Sequence, residues 1–232
     1  AATLAFGLML GSSMSLADDF KVAGVVPGSI TDQAFNQAVY EGLVKGKERL
    51  GIEMAYSEKV KQADQAEALS DYARRGYQLV IAAGGEFTAS AGRVAKQFPD
   101  TTVAILNGAP TEGTATINYN NEEFGYVLGY IGGKMSKTGK AGLIAGQEIA
   151  AFRGVAEGFK KGWAAGRPDG EVLITYTNDW DDVAKAKEAG LNLVNQGADV
   201  LLPYLDNGIV GVLQAAKEKQ VWAVGSITDI GK

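Results

Sequence analysis

The 232-residue chain contains no histidine and no cysteine. Disulfides, thiol nucleophiles, cysteine-based zinc sites and imidazole general bases are therefore excluded. Carboxylate, lysine, tyrosine and serine remain for chemistry, and none of them falls in a recognised catalytic spacing. Positive charge is in deficit, with 22 Lys and Arg against 27 Asp and Glu, for a net charge of −5. That balance argues against a nucleic-acid or anionic-membrane partner, since both favour a basic surface. No apolar run reaches the ~20 residues of a transmembrane helix. With 46% hydrophobic and 21% charged residues, the composition is that of a soluble globular protein. The length accommodates one large domain or two small ones.

Near its start the chain runs LAFGLMLGSSMSL, followed by Ala17-Asp18-Asp19. Ser15 and Ala17 are small residues at the −3 and −1 positions of a cleavage site, so residues 1–17 read as the remnant of a secretory signal peptide without its basic start. The alternative is a first buried strand or helix. With no cysteine near the cleavage point there is no attachment site for a lipid anchor. The expected product is an exported protein of the periplasm.

Beyond residue 20, short apolar runs alternate with helical patterns. Strands are predicted at 21–26, 52–56, 78–82, 102–106, 115–118, 140–145, 171–176, 198–203 and 221–225, with helices in most intervals. Gly51, Gly76, Gly139 and Gly197 stand at the helix ends, where a left-handed residue is needed. Such alternation implies parallel sheets covered by helices on both faces. There is also an internal repeat. AEALSDYARRGYQLVIAAG at 66–84 resembles AKEAGLNLVNQGADVLLPY at 186–204, and FNQAVYEGLVKG at 35–46 resembles FRGVAEGFKKG at 152–162. The matches keep their order at a nearly constant offset, which predicts two similar lobes. The segment 107–116, NGAPTEGTAT, lacks apolar periodicity and is the expected first crossover. Lobe one is thus expected over 18–110 and lobe two over 111–226, with 227–232 beginning a return to lobe one.

The most informative stretch is SITDQAFNQAVYEG at 29–42, directly after the apolar run at 22–26. It reads as strand, turn, helix, with Thr31 or Asp32 as the cap. Phe35 and Asn36 then fall in the first helical turn, beside the carboxyl end of a strand, where open α/β sheets bind ligands. An aromatic face next to an amide suits a flat polar ring. This segment resembles the D-x-G-x-x-D-x-x-F-N-Q-x-x-x-E-G signature of the basic membrane protein (BMP) family of ABC-transporter substrate-binding proteins. Asp32, Phe35, Asn36, Gln37, Glu41 and Gly42 match it, while Pro27 stands at the place of the first Asp. FPDTTVAILNG at 98–108, EEFGYVLGYIGGKMSKTGKAGLIAG at 122–146, QGADVLLPYLDNGIVGVLQAAKE at 196–218 and VWAVGSITD at 221–229 are similar to further family segments, in order. Asn107 replaces the family's ligand-binding Asp. Gly225 and Asp229 match positions that hold a ribose in family members, and Ile227 replaces a second Asp there.

The resemblance implies a type 1 periplasmic binding protein: two Rossmann-like lobes joined by a hinge, with the ligand in the cleft between them. It implies a purine nucleoside or nucleobase as ligand, an ABC permease as partner, no cofactor and no catalysis. It also implies that an aromatic at Trp180 closes over the base opposite Phe35. The bland alternative for Trp180 is a surface ring covering a helix start, with Asp179, Asp181 and Asp182 as caps and helix-dipole partners. That acidic cluster lacks the Gly and terminal Glu of a calcium loop. Gly85, Glu86 and Phe87, in GGEF after a lobe-one strand, either line the cleft or form only a tight turn; the motif is not GxGxxG. Asp206 and Asn207 hold the equivalent loop of lobe two and either line the cleft or cap the next helix. Two other readings stay open. The same fold can take a sugar or another small polar metabolite, or the chain is a Rossmann-type nucleoside-processing enzyme, for which a general base or cofactor fingerprint is missing.

Overall fold

The computed structural model describes residues 20–225. The expected signal remnant at 1–17, the return segment 227–232 and Asp229 lie outside the described residues. Within them the chain alternates strand and helix. β1 (Lys21–Val25), α1 (Phe35–Leu50), β2 (Glu53–Ser57), α2 (Gln65–Arg74), β3 (Leu79–Ala83), α3 (Thr88–Gln97), β4 (Thr102–Leu106) and β5 (Thr114–Ile117) come first. α4 (Asn121–Met135), β6 (Lys140–Ala145), α5 (Ala150–Gly166), β7 (Glu171–Tyr176), α6 (Val183–Asn195), β8 (Val200–Tyr204), α7 (Ile209–Lys219) and β9 (Trp222–Ala223) follow. Each predicted strand has its counterpart, shifted by a residue or two at the ends.

The strands form two parallel sheets, in the order β2-β1-β3-β4-β5 and β7-β6-β8-β9. The second order repeats the first with β6, β7, β8 and β9 in the places of β1, β2, β3 and β4. The repeat read in the sequence is therefore a repeat of topology: α1 and α2–β3 correspond to α5 and α6–β8. Apolar strands such as VLLPY, four of whose five residues are buried, require cover on both faces. In the second sheet one face packs Leu143 and Leu202 with Phe152, Phe159 and Trp163 of α5. The other packs Ile144 and Leu201 with Leu193 of α6 and Val212 of α7. In the first sheet Val25, Val80 and Ile105 pack with Leu69 of α2 and Val94 of α3, while Leu43 of α1 meets Gly24 on the opposite face.

One boundary is corrected. β5 pairs in parallel with β4, Val103 opposite Thr114 and Leu106 opposite Ile117, so the passage between lobes comes at 118–120 and not within 107–116. The Gly, Pro and Thr that suggested a crossover form a loop and an edge strand whose residues alternate between exposed and half-buried. Asn118 and Asn120 frame the passage: Asn118 donates from Nδ2 to Gly108 O (2.9 Å), and Asn120 accepts from the Glu123 N–H (3.2 Å) as the α4 cap.

α4 and α5 cross with backbones in contact. A Cβ added at Gly158 would lie 1.9 Å from Glu122 O, and one at Gly125 would lie 2.1 Å from Val155 O. Gly129 and Gly162 extend the same four-residue spacing along both helices. This close approach seats α4 on lobe two and carries its first turn to the edge of the cavity described next.

Candidate functional site

The carboxyl ends of strands from both sheets converge on one cavity of about 600 Å³. Lobe one contributes Pro27 and Phe35 after β1, Gly84, Gly85 and Glu86 after β3, and Asn107 after β4. Lobe two contributes Trp180 after β7 and Tyr204, Leu205 and Asp206 at the end of β8, with Phe124, Val127 and Leu128 of α4 and Ile149 forming an apolar wall. Its size lies within the range of small-molecule sites, roughly 300–1,000 Å³.

The turn that places Phe35 is organised by Asp32. Its Oδ1 accepts from the N–H groups of Ala34 (2.8 Å) and Gln37 (3.0 Å), and its Oδ2 accepts from the N–H of Asn36 (3.0 Å) and from Asn36 Nδ2 (2.7 Å). Asp32 thus caps α1 from before the helix, satisfying first-turn N–H groups that have no partner within it. Thr31 instead pairs its hydroxyl with Ser29. Asn36 is fully buried and spends its whole side chain on the protein. Oδ1 accepts from Gly28 N–H (3.1 Å), and Nδ2 bridges Asp32 to Asp206 Oδ2 (2.8 Å) across the lobes. A second bond crosses the cleft from Asn107 Nδ2 to Tyr204 Oη (3.1 Å). Asn107 adopts a left-handed backbone, φ 59°, which Asn tolerates better than most residues. Its Oδ1 also accepts from Asn121 Nδ2 (3.3 Å).

The cavity carries carboxyl groups in unusual states. Burial, then the neighbouring Asp32, pushes Asp206 up to about 8, against the hydrogen bond from Asn36; Asp181 and Glu86 push the same way. Burial raises Glu86 as well, opposed by a hydrogen bond from its own N–H. Tyr204 is pushed up to about 12, chiefly by burial, with the Asn107 bond opposing and Asp206 and Glu86 adding to the rise. Gly84, at φ 117°, takes a conformation that side chains rarely adopt, and a Cβ there would fall 2.4 Å from the Glu86 carboxylate. The glycine therefore leaves room for the Glu86 carboxylate beside the backbone.

Trp180 lies flat on Gly146, where an added Cβ would meet the indole at 2.3 Å. Its ring centroid is 6.5 Å from that of Tyr204. Its carbonyl accepts from the N–H groups of Asp206 (3.1 Å) and Gly208 (3.0 Å), tying the loops after β7 and β8 together. Asp179 and Asp182 serve that loop: Asp179 accepts from the N–H groups of Asp181 and Asp182, and Asp182 caps α6 through Lys185 N–H.

Of the residues singled out in the sequence, the structure brings Phe35, Gly85, Glu86, Asn107 and Trp180 to the cavity. Asp32 and Asn36 lie behind it as struts. Phe87 does not face it: the turn at Gly85–Phe87 drives the ring into the lobe-one core, where it is fully buried with Val25 and Leu69. Asn207 is exposed, its N–H held by Asp181 Oδ1 (3.1 Å). Gly225, past β9, is not among the lining residues. Sequence reasoning missed Tyr119, and it took the α4 segment only as a family-like stretch with no place in the site. It reached Asp206 only through the internal repeat, which equates its loop with that of Glu86.

Known proteins share this architecture. The family model described as ABC transporter substrate-binding protein PnrA-like matches residues 20–229. Transcriptional activator protein med of Bacillus subtilis is 31% identical over 211 residues, covering 90% of this chain and 66% of that protein. A purine-binding protein of Brucella abortus is 28% identical over 230 residues, 97% of this chain and 65% of its own length. The crystal structure of an ABC-transporter solute-binding protein from Aeropyrum pernix matches with a TM-score of 0.82 at 23% identity, over 89% of this chain and 62% of that one. The chain therefore spans about two thirds of the length of these relatives. The family is one of solute-binding components, not of enzymes. This chain belongs to the PnrA-like family of ABC-transporter substrate-binding proteins.

Proposed function

We propose that the protein captures a purine nucleoside or nucleobase between its lobes and delivers it to the permease of an ABC importer, working in the periplasm. The observation that carries this reading is that Phe35 of lobe one and Trp180 of lobe two line the same cavity. Two aromatic faces on opposite lobes suit a flat ring between them, and hinge closure about 118–120 brings them onto it. The purine-binding relative in Brucella abortus supports the ligand class. The net charge of −5 gives no support to a nucleic-acid partner.

Base–aromatic stacking contributes roughly 1–3 kcal/mol per contact by alanine substitution. Phe35→Ala and Trp180→Ala should each weaken binding by about 5- to 150-fold, a tenfold change being 1.4 kcal/mol. Calorimetric titration of adenosine, guanosine, adenine and a pentose against the wild type and both variants is the test. Tightest binding of the pentose, or unchanged purine affinity in Trp180→Ala, refutes the purine sandwich in favour of another small polar metabolite.

A further inference from the structure

Two carboxyl groups, one from each lobe, stand at the cavity without being used up by the protein. Asp206 is only 8% exposed and lines the cavity. Its Oδ2 takes the Asn36 amide, while its Oδ1 accepts no hydrogen bond among the described residues. Glu86 is half-buried, lines the same cavity and, among the described residues, receives a hydrogen bond only from its own backbone N–H. Gly84 leaves the space that the Glu86 carboxylate occupies, since a Cβ there would lie 2.4 Å from it. Glu86 adds to the rise at Asp206, and both carboxyls act on Tyr204. Both carboxyls face the cavity, where a ligand that supplies N–H groups would take the place of solvent as their hydrogen-bond partner.

We infer that Glu86 and Asp206 form the polar end of the site and receive an exocyclic amino group of the bound heterocycle. This rests on the purine reading above and deepens it. Glu86, as acceptor, takes the N–H of the amino group, and the open Oδ1 of Asp206 pairs with the same edge. Phe35 and Trp180 supply affinity for the ring faces regardless of substituents, so the carboxyl pair sets which purine is preferred.

The test compares adenosine with purine riboside, which keeps the ring system and the ribose but has no amino group. A hydrogen bond to a charged acceptor predicts that wild type binds adenosine 10- to 150-fold more tightly. In Glu86→Ala the ratio should fall to within about threefold, mainly through loss of adenosine affinity, and the isosteric Glu86→Gln, which keeps an acceptor oxygen but not the charge, should lie between. Thermal denaturation with circular dichroism verifies that both variants are folded. Binding of the two nucleosides within threefold by wild type, or survival of the full ratio in both Glu86 variants, overturns the inference and leaves the purine reading intact. Tight binding of a pentose with no binding of either nucleoside overturns both.

Discussion

Asn36→Ala is expected to be among the most damaging single changes that touch neither the lobe cores nor the cavity wall. The side chain makes three buried hydrogen bonds: from Gly28 N–H, to Asp32 and to Asp206. Truncation leaves the Gly28 N–H without an acceptor and removes one of four donors from Asp32. It also strips Asp206 of its bond across the lobes, leaving two carboxyls facing one another. A buried polar group deprived of its partner costs about 1–3 kcal/mol. Water reaching Asp206 from the cavity offsets part of the third loss. A total of roughly 3–6 kcal/mol results, a large share of the 5–15 kcal/mol that stabilises a typical domain. Urea unfolding followed by circular dichroism at pH 7 measures it. Asn36→Asp sharpens the point: it retains an acceptor for Gly28 but adds a third carboxyl, so it should be worse at pH 8 than at pH 5. A loss below about 1 kcal/mol for Asn36→Ala would mean that solvent replaces the amide without penalty, and the bridging role would be wrong.

Asp206, held up to about 8 against an ordinary value of 3.8, keeps a proton in the fold that the unfolded chain has released. Stability at this group is whole below about 4, falls as pH rises toward about 8 and levels off above that. The urea midpoint of wild type should therefore decline between pH 5.5 and 8.5, and Asp206→Asn should flatten the decline; equal slopes in both refute the assignment. Gly158→Ala places a Cβ 1.9 Å from Glu122 O and should destabilise by about 1–3 kcal/mol through overpacking. Gly42→Ala on exposed α1, with nothing within 4 Å of the new methyl, should instead stabilise by about 0.5–1 kcal/mol. A denaturation midpoint that is unchanged or raised in Gly158→Ala contradicts the α4–α5 contact.

Most strands were legible because they are short apolar runs bounded by turns, which parallel sheets bury on both faces. The lobe repeat was legible because helix–Gly–strand units recur at fixed spacing. β5 was assigned to the wrong side of the crossover because its Thr-rich sequence has only one half-covered face and no apolar signal. At the site, residue type was easier to read than role. Trp180 reaches the cavity four residues past the end of β7, and Phe35 through the loop 26–34 that Asp32 organises into the start of α1. Asn36 has the chemistry of a ligand contact, yet its amide is claimed by Asp206, 170 positions away, and no local pattern encodes that pairing. Phe87 shows the reverse: one 3₁₀ turn after Gly84 is enough to rotate an aromatic from cleft to core. The α4 wall was illegible because its residues line the cavity only through the backbone contact with α5.

The two bonds that span the cleft, Asn36 to Asp206 and Asn107 to Tyr204, also bear on timing. If the lobes swing apart about 118–120 to admit a solute, both must break first. The open form is then a minor member of the resting population, and the observed association rate scales with its share. Cutting either bond should speed uptake and release together more than it changes their ratio, so that the clasp governs how quickly the protein exchanges its cargo rather than how much it holds.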